Sequence, residues 1–447
     1  MLKKWAAAAV AAMVSLGLLS ACGSSNDATS PSSNNGELAG DITFWSSYTQ
    51  GPRAEYMQNM ANKFMKSHPK VKIKIELFSW DEFYNKWTTG LASGQVPDIS
   101  SALPNHVTEM IDADAIVPLD DVIGKIGKDR FNEAALAEGA KEGKHYSIPI
   151  YSHAQVMWYR KDLLQAAGLE VPKTWSELAA TAKALTKNGV YGLSVPMGKN
   201  DMLATRYLNF YVKSAGGQLI GKDGKVDLTN QTVYDGIKYW VDVYKNASPK
   251  GSVNFNILDQ ATLYYQGKTA FDFNSGFQIS GVKSTSPNLA DQIGAAPMPR
   301  MKADDPVYGA ETSNLPMVVW KNSKHQDVAK AFLESLFQGD DYITFLNSVP
   351  VGMMPALKDV ATEPKFLENS EIKKYKKEFD VINQAIPLGT AIGMENGPTL
   401  QSGIIVSQHV IEEMFQNIVL NNQPVEQAAK AAENKLNGLF KSAGALK

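Results

Sequence analysis

The feature that most constrains the fold is an alternation of strand-like and helix-like patterns between positions 41 and 99. Ile42 and Phe44 lie in a short apolar run, and apolar residues then recur at helical spacing until a proline at position 69. From Val71 to Leu77, apolar side chains alternate with charged ones, which is the period of a strand with one wetter face. Such alternation indicates an α/β fold, with a mostly parallel sheet flanked by helices and ligands at the carboxyl ends of the strands.

Size and charge narrow the class of protein further. The chain has 447 residues, and 44% of them are hydrophobic. A chain of this length usually forms more than one hydrophobic core, so two lobes are expected. The 44 basic and 46 acidic residues leave a formal net charge of -2, which gives no electrostatic case for a nucleic-acid partner. A neutral or modestly polar ligand fits this composition better.

The only cysteine, Cys22, ends an apolar segment that begins after two lysines. Lys3 and Lys4 form a positive region, the stretch 5–19 is short for a membrane span, and small residues precede the cysteine, as in a cleaved export signal. Leu19-Ser20-Ala21-Cys22 resembles a bacterial lipobox, which implies that Cys22 is lipidated and becomes the mature N-terminus. An ordinary signal peptide with an incidental cysteine is the alternative.

This reading predicts an exported protein held at the outer face of the cell membrane. A diacylglyceryl group brings two acyl chains, palmitate being typical, and two chains anchor a protein stably. We expect a signal peptide over 1–21 and a flexible tether over 22–40, where Ser, Asn, Asp, Pro and Gly dominate. A Gram-positive surface and a Gram-negative periplasm both fit this anchored location. Because the chain has no cysteine after Cys22, no disulfide stabilises the folded part.

Short motifs in a fixed order resemble one protein family. They are Ile42-Thr43-Phe44-Trp45, Ser93-Gly94-Gln95-Val96-Pro97-Asp98-Ile99, Val117-Pro118-Leu119-Asp120, Ile148-Pro149-Ile150, Tyr159-Arg160-Lys161-Asp162-Leu163, Thr174-Trp175-Ser176-Glu177-Leu178 and Gly267-Lys268-Thr269-Ala270-Phe271. Together they are similar to the extracellular solute-binding proteins of ABC importers for sugars, a family that includes the maltose-binding proteins.

The resemblance implies an architecture and a mode of action. It implies two discontinuous lobes of the periplasmic-binding-protein type II fold, an N-lobe over 41–148 and 310–340 and a C-lobe over 149–309 and 341–447, joined by hinge crossovers. Such a protein is expected to be a monomer without cofactor or metal. It holds a sugar in the cleft between the lobes, closes around it, and presents the closed form to the membrane permease.

Four candidate ligand-binding residues come from the first lobe. Sugars need aromatic platforms and planar hydrogen-bonding groups. Trp45 and Tyr48 follow the first predicted strand at its ligand-facing edge, although Trp45 also suits core packing. Asp98 is predicted to end a strand, and a carboxylate that holds its own loop is the alternative. Asn105 lies in the loop that follows.

The remaining candidates lie at the crossovers and in the second lobe. Tyr151 and His153 occupy the first crossover, where His153 replaces a glutamate that binds sugar in maltose-binding members. Phe277 falls on the stacking tryptophan of the family, and Asn274 precedes it. Glu311 at the second crossover and Glu395 near the C-terminal helices complete the set, so maltose itself is not expected to be the ligand.

Two other classes of function stay open. A surface-anchored glycan-processing enzyme would need paired carboxylates, and Asp112 with Asp114, Asp304 with Asp305, and Asp340 with Asp341 are the available pairs. They lie in polar stretches where solvated acids are ordinary, and nucleotide, hydrolase and zinc motifs are missing from the sequence. A sugar-sensing subunit with the same two-lobe scaffold is the other alternative, since a fold does not fix a function.

Overall fold

The computed structural model describes residues 37–49 and 51–446. The predicted signal peptide and Cys22 lie outside the described residues, and of the predicted tether only its last residues are described, with Gly40 already in the first strand. The strands, in chain order from β1 to β12, are Gly40–Ser46, Val71–Leu77, Ile99–Ser101, Ala140–Lys141, Lys144–His145, Ile148–Ala154, Val156–Arg160, Tyr191–Leu193, Thr269–Asn274, Ile293–Ala296, Thr312–Val319 and Met354–Pro355.

Helices fill most of the chain between these strands. From α1 to α19 they are Gly51–Ser67, Trp80–Ser93, Pro104–Asp112, Asp120–Ile126, Glu133–Ala137, Lys161–Ala167, Trp175–Leu185, Leu203–Ser214, Gln231–Ala247, Ile257–Tyr265, Phe277–Thr285, Gln326–Ser335, Gly339–Leu346, Pro364–Leu367, Ser370–Lys374, Lys376–Ala385, Leu400–Ser407, Val410–Asn421 and Val425–Ser442. Short 3-10 turns cover Lys128–Arg130, Lys250–Asn254, Pro287–Gln292, Val360–Thr362 and Ile386–Leu388.

Two main sheets organise the described chain, which confirms the α/β fold class. The larger sheet has the order β12-β6-β11-β3-β1-β2, and the smaller has the order β10-β7-β9-β8. The prediction that each sheet is mostly parallel is wrong. In the larger sheet β1 pairs in parallel with β2 and β3, whereas β11 and β12 pair antiparallel with their neighbours. In the smaller sheet only β8 and β9 are parallel.

The antiparallel pairs arise where the chain passes between the sheets. Strands β6 and β7 run on through a single residue, Gln155, so one extended segment enters both sheets. The chain returns over 297–311 into β11, which lies against β6. Because the chain leaves the larger sheet through β6 and returns beside it through β11, these two strands run in opposite directions. The strand-helix-strand pattern of the sequence predicted parallel neighbours and did not reveal this pairing.

The connections between the sheets lie side by side. The backbone N–H of Gln155 donates to the carbonyl of Glu311 at 2.9 Å. At Gly309 a Cβ would lie 2.1 Å from the backbone nitrogen of Gly389, so only a residue without a side chain fits there. Thr312 N–H donates to the carbonyl of Thr390 at 3.3 Å. These contacts place the segments at Gln155, Glu311 and Gly389 next to one another.

Apolar packing divides the described chain into three clusters. One covers the face of the larger sheet that carries α1, α12 and the helices from α13 to α16, and it continues onto β7, β10, α10 and α11 beside the smaller sheet. A second surrounds the smaller sheet with α7 to α9 and α17 to α19. The third packs α2 and α3 against the other face of the larger sheet, around Trp87 and Trp320. Both faces of the larger sheet are therefore covered, as a central α/β sheet requires.

The lobe boundaries stay a prediction. Residues from Leu38 onward cluster as one compact unit. Within it, β6 and β12 belong to the larger sheet although 149–309 and 341–447 are predicted to be C-lobe. The sheets thus favour a first crossover at Gln155 rather than near position 148.

Between residues 37 and 446, apart from position 50, no helix combines the length with the apolar composition that a bilayer crossing requires.

Candidate functional site

Aromatic side chains from both sheets meet beside the crossovers. The ring of Tyr48, which follows β1, lies 6.3 Å from that of Tyr151 on β6. Tyr151 is also 6.3 Å from Phe277, the first residue of α11 on the side of the smaller sheet. Phe277 is partly exposed, whereas both tyrosines are buried. The structure thus brings together three residues predicted from the sequence, and we call them the aromatic cluster.

Arg53, in the first turn of α1, packs on this aromatic cluster. Its guanidinium carbon lies 4.6 Å from the centroid of Phe277 and 5.1 Å from that of Tyr48. Its Nη1 donates to the hydroxyl of Tyr151 at 3.2 Å. Stacking on two rings and one hydrogen bond hold the planar group in place. This residue was not predicted.

His153 on β6 lies next to the aromatic cluster, at the edge of Phe277. The two rings meet edge to face, with centroids 6.1 Å apart. Its Nδ1 is shielded from solvent and has no hydrogen-bond partner. Burial, followed by the positive charges of Arg206 and Arg53, lowers the pKa of His153 to about 3. The imidazole is therefore neutral at physiological pH and offers one donor and one acceptor.

Glu311 lies beside the cluster but is committed to Arg206. The Nε and Nη2 of Arg206 on α8 donate to the two carboxylate oxygens at 2.6 and 2.9 Å, and both side chains are buried. A bidentate pair of this kind satisfies both charges. The geometry gives Glu311 a role in joining the second crossover to α8.

Asn105 links two parts of the chain, and the prediction that it lies in a loop is wrong, because it is the second residue of α3. Its Nδ2 donates to the carbonyls of Ile392 and Ser402, each at 2.8 Å. Helix α3 packs under the larger sheet, while α17, which contains Ser402, belongs to the cluster around the smaller one. Asn105 therefore connects the half of the molecule built on the larger sheet with the half built on the smaller sheet. We call these the two halves.

Asn274 and Glu395 have protein partners of their own. The Oδ1 of Asn274 accepts from the backbone N–H of Ser275 at 2.9 Å, which shapes the end of β9 before Phe277. Glu395 lies 3.4 Å from the Nζ of Lys213 on α8. Neither residue joins the aromatic cluster.

Trp45 and Asp98 lie apart from the cluster. The Trp45 ring packs on Phe78, with centroids 5.5 Å apart, and its Nε1 donates to Glu76 at 3.0 Å. Asp98 precedes β3 instead of ending it, so the prediction of a strand-end position is wrong. Its carboxylate accepts from the backbone N–H of Thr43 at 2.7 Å, at the amino end of β3.

A pocket of about 400 Å³ opens between the two halves near α2 and α3. One wall carries Trp80, Tyr84 and His106, and the opposite wall carries Asp201, Met202 and His409. Burial, with a smaller effect of His409, lowers the pKa of His106 to about 3. Rings on one side and polar groups on the other suit a ligand with both apolar faces and hydroxyls.

The residues missed by sequence reasoning differ in how they could have been found. Arg53 follows β1 within one helical turn of Gly51, so it lies at the ligand-facing edge by the same argument that selected Tyr48. Trp80 follows β2 in the same way. Arg206 gives no such signal, because only the tertiary fold brings α8 to Glu311.

Carboxylates around the site are buried or paired. Burial raises the pKa of Glu138 to about 7, and its side chain accepts from Asn314 Nδ2 at 2.9 Å. In the part of the chain that the structure describes, no three His, Cys, Asp or Glu side chains converge as metal ligands would. Among the acidic pairs noted above, Asp114 and Asp340 are highly exposed and paired with Lys321 and Lys365.

Comparisons with known proteins agree with this arrangement. Residues 49–338 match the family model described as bacterial extracellular solute-binding protein. A binding protein of Brucella abortus is 25% identical over 377 residues, covering 84% of this chain and 87% of that protein. The diacetylchitobiose binding protein DasA of Streptomyces coelicolor is 26% identical over 326 residues, covering 71% of this chain and 74% of that protein.

A solved structure shares the fold. It is the solute-binding protein of an ABC transporter from Thermotoga lettingae, bound with alpha-D-tagatose, with a TM-score of 0.78 and 21% identity. The match covers 90% of this chain and 99% of that one. Two-lobe sugar-binding structures therefore share the α/β architecture described above.

Proposed function

Because the chain belongs to the bacterial extracellular solute-binding protein family, we propose that it captures a sugar or oligosaccharide between its two halves and delivers it to the permease of an ABC importer. One observation carries this proposal: the aromatic cluster joins Tyr48 and Tyr151, which follow β1 or lie on β6 of the larger sheet, to Phe277, which begins the helix after β9 of the smaller sheet. Rings supplied by both halves can contact one ligand only when the halves are close together.

Binding and closure are coupled in this proposal. A sugar that contacts both halves has its full set of contacts only in the closed form, so it shifts the population toward that form. The adjacent segments at Gln155, Glu311 and Gly389 serve as the hinge. Contacts between Asn105 and α17 belong to the closed form. The permease then recognises the closed surface.

The location of the protein follows the same proposal. Family membership supports an extracellular place of action. A lipid on Cys22 would hold the protein at the outer face of the membrane. We propose a monomer in which the first crossover lies at Gln155 and β12, with helices α13 to α16, belongs with the larger sheet instead of the predicted C-lobe.

Screening of oligosaccharides by thermal unfolding tests this function. A ligand that binds only the folded protein raises its melting temperature as its concentration exceeds the dissociation constant. We expect at least one saccharide to raise the melting temperature and to be recovered with its mass unchanged. Recovery of shorter sugars would favour a glycan-processing enzyme, and no response to any saccharide would reject sugar capture.

A further inference from the structure

We propose that the saccharide carries a carboxylate and that Arg53 binds it. This inference rests on the proposed function and narrows its substrate class to acidic sugars such as uronic-acid oligosaccharides. The formal net charge of -2 for the whole chain favours a neutral ligand, but the charge beside the aromatic cluster is locally positive.

Arg53 differs from the other arginines in its partners. Arg130, Arg160 and Arg206 each donate to a carboxylate, namely that of Asp359, Asp162 or Glu311. Arg300 donates to the backbone carbonyl of Asp305. Within residues 37–49 and 51–446, Arg53 has no carboxylate partner, and its one hydrogen-bond acceptor is the phenol of Tyr151.

The guanidinium is oriented, and most of its donors are uncommitted. A guanidinium has five N–H donors in a fixed plane. The contact with Tyr151 uses Nη1, while the rings of Phe277 and Tyr48 support the group. The planar fork of an arginine matches a carboxylate, which accepts two parallel hydrogen bonds. An arginine held in this way loses little entropy when the anion binds.

Neighbouring groups leave this positive charge uncompensated. Glu311 neutralises Arg206 through two hydrogen bonds. Burial, followed by the positive charges of Arg206 and Arg53, lowers the pKa of His153, so the imidazole is neutral and carries no charge of either sign. A partly desolvated cation gains more from a charged acceptor than from a hydroxyl, since charged hydrogen bonds are about twice as strong. A carboxylate on the ligand completes the local charge balance.

The experiment compares one set of saccharides before and after removal of their charge. The probes are a pool of uronic-acid oligosaccharides from pectin, alginate and glucuronoxylan, and the same pool after reduction of its carboxyl groups to alcohols. Thermal unfolding of the full chain is measured with each pool, and the best binder is then titrated by calorimetry. We expect the acidic pool to raise the melting temperature and the reduced pool to leave it unchanged.

Substitutions assign the effect to one side chain. Arg53→Met should weaken binding of the acidic saccharide on the order of 10- to 100-fold, the range of a charged hydrogen-bonded contact. Arg53→Lys keeps the positive charge without the planar guanidinium, so it should weaken binding of the acidic saccharide less than Arg53→Met does. Arg130→Met removes an arginine that is paired with Asp359 away from the cluster, and it should bind like the unmodified protein.

Salt provides a readout that does not depend on the folding of a variant. Raising the ionic strength from about 0.02 M to about 0.5 M should weaken the acidic saccharide's binding through screening. Equal or tighter binding of reduced or other neutral saccharides would overturn this inference and leave sugar capture standing. Equal losses of affinity in Arg53→Met and Arg130→Met would have the same meaning. No binding of any saccharide would overturn both proposals.

Discussion

Phe277 is the residue whose loss should separate binding from folding. It begins α11, is partly exposed, and lies at the edge of an apolar cluster, where it touches His153 and Arg53. Phe277→Ala should lower sugar affinity by on the order of 1 to 3 kcal/mol and leave the free energy of unfolding nearly unchanged. Calorimetry with the best saccharide and urea unfolding measure the two effects.

A matched variant strengthens that comparison. Phe277→Trp keeps an aromatic face, so it should retain most of the affinity. If Phe277→Ala binds as tightly as the unmodified protein, the ring does not contact the sugar.

A buried carboxyl on β9 makes stability depend on pH. Burial raises the pKa of Asp272 to about 7, against an ordinary value of 3.8, and Gln260 and Gln278 donate to it. The folded state therefore holds this proton more tightly than the unfolded state. Its contribution to stability is complete below about pH 4 and is lost as pH rises toward about 7.

Asp272→Asn should remove this dependence. The side-chain oxygens of Gln260 and Gln278 have no partner, so rotated amides can accept from the new Nδ2. The free energy of unfolding of the variant minus that of the unmodified protein should be larger at pH 8 than at pH 4 by on the order of a few kcal/mol, measured by urea unfolding. Other titrating groups cancel in this difference. Equal differences at both pH values would show that Asp272 ionises normally.

At the scale of elements, α3 and α17 approach each other at Gly403. A Cβ there would lie 2.5 Å from Glu109 Cγ and 3.0 Å from the carbonyl oxygen of Asn105. Gly403→Ala should therefore force the helices apart and cost on the order of 1 to 3 kcal/mol in urea unfolding. Since α3 and α17 belong to different halves, the same change should also weaken sugar binding.

Gly438 in α19 provides the control. Nothing lies within 4 Å of the position that its Cβ would occupy. Gly438→Ala should thus stabilise the helix by about 0.5 to 1 kcal/mol, because alanine loses less backbone entropy than glycine. Equal effects of the two substitutions would mean that α3 and α17 are not tightly packed.

Local signals in the sequence identified several elements. Thr174 and Glu177 predict a capping box, and in the structure Thr174 Oγ1 accepts from Glu177 N–H at 3.2 Å while Glu177 accepts from Thr174 N–H at 3.1 Å. The pair Asp223-Gly224 is typical of a tight turn, and the chain does turn there, with Gly221 N–H donating to the carbonyl of Lys225 at 2.8 Å. Both depend on residues close in the chain, which explains why sequence reasoning succeeds there.

Long-range features were harder to predict. Asp98 was placed at the wrong end of β3 because a three-residue strand carries too little periodicity to fix its ends. The antiparallel pairing of β6 with β11 depends on residues more than 150 positions apart. The family resemblance indicated Tyr151 and Phe277, but only the fold shows that Arg53 lies over Phe277.

At the scale of the whole molecule, the expected motion is a rotation of the two sheets about adjacent chain segments. The helices α7 to α9 and α17 to α19 form a cluster around the smaller sheet, whereas the cluster on the larger sheet also takes in β7, β10, α10 and α11, so closure would have to keep or slide this shared packing. The connecting segments meet through backbone contacts at Gln155 and Gly389, where small changes in dihedral angles suffice. A ligand held by both halves would favour the closed arrangement.

Small-angle X-ray scattering during titration with the best-binding saccharide measures this closure directly. The radius of gyration should fall as the sugar binds and reach a plateau at one sugar per protein, and Phe277→Ala should need more sugar to reach the same plateau. A scattering profile that stays the same at saturating sugar, as judged by calorimetry on the same sample, would contradict capture by closure between the two halves.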